Sequence, residues 1–97
     1  MGLIHYESDF DSLISGNAVV DFYANWCGPC KMFGPIFEEV GNFSDINFAS
    51  VDVDKSSDIA RRYGVMSIPT VILFKDGKEV KRFTGFMDKD RFISFLK

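Results

Sequence analysis

The sequence predicts a three-layer α/β domain, a mixed β-sheet covered by helices on both faces, and three observations carry that expectation. Residues 18–24 (AVVDFYA) are a nearly continuous apolar run rich in β-formers, the pattern of a strand buried on both faces. Strand-like and helix-periodic segments alternate through the first part of the chain, which implies parallel strands joined by right-handed crossovers. Asp76-Gly77 then separates two strand-like runs as a hairpin turn, which adds an antiparallel edge.

Element by element, residues 2–6 read as a short strand. Ser8 followed three residues later by Asp11 is a capping signature, opening a helix whose apolar face is Phe10, Leu13 and Ile14 and which Gly16 ends. After the strand at 18–24, the pattern from about Cys27 to Phe43 is helical, with Phe33, Ile36, Phe37 and Val40 at core spacings. Pro35 removes a backbone donor inside that helix and is expected to kink it. Residues 46–53 alternate as a strand, Ile46, Phe48 and Ser50 against Asn47, Ala49 and Val51. Residues 57–63 form a short helix closed by Gly64. Residues 70–74 and 80–84 are the hairpin arms, and Asp88 caps a last helix with Phe92, Ile93, Phe95 and Leu96 on its apolar face. The order is βαβαβα followed by ββα. With no repeat or linker, residues 1–97 are read as a single domain.

Composition narrows the function classes. Ninety-seven residues, 46% hydrophobic and 26% charged, suit one modest core, which eleven phenylalanines help to fill. A net charge of −3 offers no basic excess for phosphate, so nucleic acid is not an expected partner. No apolar run approaches the length of a membrane span, and the first residues lack the basic and apolar regions of a signal peptide; a cytoplasmic protein is the expectation. Two cysteines cannot scaffold a secreted mini-protein. With His5 as the one histidine, they cannot complete a four-ligand zinc site either, so no metal is expected.

The sharpest chemical signal is Trp26-Cys27-Gly28-Pro29-Cys30, placed where the buried strand gives way to the long helix. Cysteines three apart in a first helical turn share one face, so their sulfurs can join with little backbone movement. Cys27 stands at the helix N-terminus, where free N–H groups and the positive end of the macrodipole favour a thiolate. Pro29 is tolerated there because the donor it lacks has no partner in the first turn. Asp21 is the second anomaly, a carboxylate inside Val19-Val20-Asp21-Phe22-Tyr23. In a central strand it is desolvated and becomes a proton carrier near neutral pH; on an edge it is an ordinary solvated acid. Ile68-Pro69-Thr70 opens the next strand, where a proline of either isomer fits.

Taken in order, VVDFYANWCGPCKMFGPIFEEV, VDVD, YGVMSIPTVILFKDGKEV and TGF make the chain resemble the thioredoxin family over essentially its whole length. The combination of WCGPCK, a downstream SIPT and a DG hairpin is highly specific. The resemblance implies a five-stranded sheet of order 1-3-2-4-5 flanked by four helices, a cis Pro69 against the cysteines, and Asp21 as the buried acid behind them. It further implies protein-disulfide reduction, with Cys27 as nucleophile, Cys30 as resolving thiol and Asp21 in proton transfer. Trp26, Gly28, Pro29, Ile68, Pro69 and Gly85 would form the substrate-binding rim. No bound cofactor is implied beyond the redox-active disulfide. The implied partners of this monomer are a thioredoxin reductase and disulfide-containing proteins. The Gly-Pro dipeptide carries no imidazolium to stabilise the thiolate, which favours a reductant over an oxidising, isomerase-like relative. A non-catalytic binding or chaperone subunit on the same fold is the alternative from another class.

Four departures from the family pattern stand out. Tyr23 replaces a frequent tryptophan, Phe86 replaces a smaller residue after Gly85, and the N-terminal segment is short. Ser50 occupies a position where many members carry a lysine near the buried acid, so Asp21 is expected to ionise with greater difficulty.

Overall fold

The computed structural model describes residues 2–97. Nine elements follow in the order β1 (Leu3–His5), α1 (Phe10–Leu13), β2 (Asn17–Tyr23), α2 (Gly28–Gly41), β3 (Asn47–Asp52), α3 (Ser57–Arg62), β4 (Thr70–Lys75), β5 (Lys78–Thr84) and α4 (Lys89–Phe95). The five strands form one sheet of order β1-β3-β2-β4-β5. β1, β3 and β2 run parallel, whereas β4 is antiparallel to both β2 and β5. The antiparallel junction therefore begins at the centre of the sheet, against β2, and not only at the hairpin edge.

β2 is central, and Ala18 to Phe22 are all buried. Its alternate side chains enter two separate cores. Ala18, Val20 and Phe22 join Phe10 and Ile14 beside α1 and Ile59 and Ala60 of α3. Val19 faces the other way, into a core with Phe33 and Phe37 of α2, Phe48, Val71, Met87 and Phe92 of α4. Phe92 is the aromatic hub of this layer, with ring centroids 5.1 Å from Phe33, 5.6 Å from Phe37 and 6.0 Å from Phe48. β3 is likewise covered on both faces at Phe48 to Val51, so its alternation separates two buried sides instead of core from solvent.

Several boundaries differ from the sequence expectation. Asp9, not Ser8, caps α1: its carboxylate accepts the Ser12 N–H at 3.3 Å, and its φ of 59° turns the chain so that Phe10 enters the core. Aspartate tolerates that left-handed conformation better than most residues. α1 ends with Ile14 as its C-cap, before Gly16. α2 ends at Gly41, short of the expected Phe43, with Pro35 inside the helix. β5 starts at Lys78, two residues sooner than expected: the Asp76-Gly77 turn has positive φ at both positions and lets pairing begin at once, and a register shift between Leu73 and Phe74 then sets Lys81 and Glu79 opposite them. Gly64, at φ 63°, closes α3 as expected: its N–H bonds Arg61 O at 3.1 Å and the Val65 N–H bonds Ala60 O at 2.9 Å.

α2 packs tightly on the sheet at Gly41, where an added Cβ would lie 2.8 Å from the Phe48 ring. Gly16, in the turn before β2, has open space around its Cα. Gly41→Ala is expected to destabilise the fold by about 1–3 kcal/mol, through overpacking of a buried ring. Gly16→Ala is expected to stabilise it by about 0.5 kcal/mol through the unfolded chain's entropy. Denaturant melts of the two variants, read for opposite signs, check this contrast.

Candidate active site

β2 delivers the chain from the middle of the sheet to the N-terminus of α2, and Cys27 is the N-cap of that helix. Its Sγ accepts the Cys30 N–H at 3.2 Å, while its carbonyl accepts the Lys31 N–H at 3.1 Å. The two cysteines are joined as a disulfide with Cα atoms 5.2 Å apart, inside the range that such a bond spans comfortably. Both are buried, and they form a small cluster with Ala24 against which Tyr23, Val53 and Ile68 pack. Once reduced, Cys27 keeps a position that favours its thiolate, since the helix N-terminus supplies a ready donor and a positive dipole end.

Around the sulfurs the surface is open. Gly28 and Pro29 are exposed, and Trp26 is 71% exposed with its Nε1–H donated to Asp54 Oδ2 at 2.9 Å. The ring is thus held outward by a hydrogen bond and not packed into the core. From the opposite side the Ile68–Pro69 peptide, which is cis, brings the Ile68 carbonyl oxygen to 3.8 Å from Cys27 Sγ. Pro69 O accepts the Gly85 N–H at 2.8 Å, and Gly85 has a φ of 112° that suits glycine alone. These links bring Trp26, Gly28, Pro29, Ile68, Pro69 and Gly85 around the cysteine pair. Phe86 follows Gly85 as an exposed ring.

Asp21 lies behind this surface and is 3% exposed, which settles the choice between a central and an edge strand. It shares with Cys30 a cleft of about 320 Å³, whose other walls include His5, Tyr23, Glu38 and Ser50. Its Oδ1 has no hydrogen-bond partner among the described residues, and burial pushes its pKa from 3.8 up to about 7. Ser50 is its direct partner across β2 and β3, and a hydroxyl supplies no countercharge to offset the desolvation. The Tyr23 hydroxyl is also raised, by burial first and then by the charges of Asp52 and Asp21.

Sequence reasoning missed two contacts here. Asp54 holds Trp26 although it stands twenty-eight residues away, and His5 shares a 3.1 Å hydrogen bond with Ser50 Oγ across forty-five. Strand register, which sequence periodicity alone does not give, was the absent signal for the second.

The buried carboxyl couples stability to pH. The folded state holds this proton at pH values where the unfolded chain has lost it. The contribution of Asp21 to stability is therefore greatest below 3.8, declines as pH rises, and reaches its floor above about 7. The interval corresponds to a cost on the order of 4 kcal/mol for the ionised folded form. Asp21→Asn, of equal size and uncharged, is expected to gain stability over the parent by about 2–4 kcal/mol near pH 8, the gain shrinking towards pH 4. Urea melts across that range check both size and sign; a gain independent of pH would contradict the origin in ionisation.

Comparison with known proteins agrees with this geometry. The thioredoxin family profile matches residues 3–97. The thioredoxin of Mycoplasmoides gallisepticum is 50% identical over 94 residues, covering 94% of each chain. That of Chlamydia trachomatis is 45% identical over 95 residues, covering 97% of this chain and 93% of its own. Among solved structures, a mutant thioredoxin from Halobacterium salinarum superimposes with a TM-score of 0.91 at 33% identity, covering 98% of this chain and 88% of its own. A reduced thioredoxin from Schistosoma mansoni does so at 0.89 and 35%, covering 99% and 96%. The chain belongs to the thioredoxin family, and its Cys27–Cys30 pair makes it a thiol–disulfide oxidoreductase.

Proposed function

We propose that this protein is a general reductant of protein disulfides, with electrons leaving through Cys27. The observation that carries the reading is the placement of Cys27 as the α2 N-cap, bonded to Cys30 and facing the Ile68 carbonyl. In the reduced protein, the Cys27 thiolate attacks one sulfur of a substrate disulfide. A Cys27–substrate bond forms, the substrate S–S bond breaks, and the first substrate thiolate leaves to take a proton from water. Cys30 then gives its proton to Asp21 and attacks Cys27 Sγ. The internal disulfide forms and the second substrate thiolate departs, so the substrate gains two electrons and the protein dithiol loses them. A carboxyl with a pKa of about 7 is matched to accept a thiol proton near neutral pH. The shared cleft leaves room for a water between Asp21 and Cys30.

Substrate docks as an extended segment along the backbone at Ile68 and Pro69, by strand-like pairing. The exposed Trp26, Gly28 and Pro29 form the near rim of that dock, Gly85 the far one. The Gly-Pro dipeptide between the cysteines places no cation beside the thiolate, which supports a reducing direction. The protein works as a monomer in the cytoplasm, where thiols are kept reduced, and a thioredoxin reductase regenerates its dithiol with no cofactor bound to this chain.

Cysteine substitution tests the division of labour. With insulin as the disulfide probe, Cys30→Ser is expected to accumulate a mixed disulfide visible on non-reducing gels. Cys27→Ser is expected to form none, and both variants to lose catalytic turnover. Adducts on Cys27→Ser, or none on Cys30→Ser, would overturn the assignment.

A further inference from the structure

The sheet register aligns three polar residues in a row that leads from the core to solvent. His5 of β1 is partnered with Ser50 of β3, and Ser50 with Asp21 of β2. Partnered residues of adjacent strands point to the same face, here the face that α2 covers. Exposure rises along the row: Asp21 and Ser50 are buried, whereas His5 is exposed. Ser50 Oγ and His5 Nδ1 share a hydrogen bond of 3.1 Å, which fixes the imidazole at the end of the row.

The cavities follow the same line. His5, Ser50 and Tyr23 line the cleft that holds Asp21 and Cys30, and they also line a second, more polar hollow of about 480 Å³. Beyond them, that hollow carries Tyr6, Glu7, Asp52 and Lys55. The inner cleft is thus walled from the outer one by a hydroxyl, a phenol and an imidazole. Apart from Cys30, α2 contributes one titratable group to the inner cleft, Glu38 at its exposed side.

Each turnover requires a proton to cross between the buried carboxyl and water. We propose that His5, positioned by Ser50, is the proton outlet of the Asp21 site. The inference rests on the reading of Asp21 as acceptor of the Cys30 proton. The Asp21 carboxylic acid passes its proton through water in the cleft to one imidazole nitrogen of His5. The other nitrogen releases a proton to the outer hollow, where Glu7 and Asp52 can take it onward. Asp21 returns to the carboxylate, and no bond to sulfur or carbon changes. An imidazole suits this task because it accepts at one nitrogen and donates at the other. His5 is a positioning and relay group that touches neither sulfur.

The reduced protein, held at pH 5.5 so that Asp21 carries its proton, is mixed rapidly with 5,5′-dithiobis(2-nitrobenzoate) in buffer of pH 8; one thionitrobenzoate leaves as Cys27 attacks and a second as Cys30 resolves the adduct, a step that must wait until Asp21 has shed its proton. His5→Gln is expected to slow the second release about tenfold after this pH jump and to leave the first unchanged. Free imidazole in the buffer is expected to restore the rate, which a merely structural defect would not allow. Ser50→Ala should give a smaller slowing of the same step. If Asp21→Asn leaves the second release unchanged, Asp21 is not the acceptor and the reading beneath this proposal falls with it. If Asp21→Asn slows it but His5→Gln does not, or if Glu38→Gln alone does, the outlet at His5 is overturned while the role of Asp21 stands.

Discussion

The double-sided burial of β2 is the constraint on which the rest of the structure depends. Because Ala18 to Phe22 face packed layers on both sides, the strand occupies the centre of the sheet and its register is fixed. A slip by one residue would exchange Val20 and Phe22 for Val19 and Asp21 in the α1–α3 core, and put a carboxylate among Phe10, Ile59 and Phe74. The observed register instead sends Asp21 to the α2 face, six positions before the cysteine at the start of that helix. The strand thus aims the reactive pair and, in the same act, desolvates the acid behind it.

That acid sets two demands against each other. A buried carboxyl without a cation costs stability at neutral pH, and a core strand with valine at that position would hold the sheet better. The cost leaves a carboxyl whose proton affinity lies near physiological pH, and that affinity arises from burial alone. The cleft between Asp21 and Cys30 keeps the acid reachable without opening the sulfur site itself. On the far side, the cis Ile68–Pro69 peptide, tied through Pro69 O to Gly85, closes the cysteine pair against a backbone that can receive a strand. The buried acid lies below the sulfurs and the cis peptide above them.

Much of this was legible in the residues. The apolar run at β2 identified a central strand, and the position of CGPC after it identified a helix N-terminus bearing a reactive pair. Helix and hairpin signals located every element, because burial and turn chemistry act locally in this chain. The misplacements are local too. Ser8 and Asp9 are both competent caps, and only the entry of Phe10 into the core selects the second. What periodicity could not supply was adjacency across strands. His5, Ser50 and Asp21 are forty-five and twenty-nine positions apart along the chain, and only the parallel register makes them neighbours. The same holds for Asp54 and Trp26, which meet because the segments that follow β3 and β2 lie side by side.

Whether this geometry makes an electron donor is decided by the reduction potential of the Cys27–Cys30 couple. Equilibration against dithiol buffers under chelator, read by thiol trapping, gives it without a biological substrate. A value near the roughly −270 mV typical of thioredoxins is the predicted result. A value between roughly −120 and −180 mV, the range of oxidising relatives, would reverse the direction of electron flow and make the protein an oxidant.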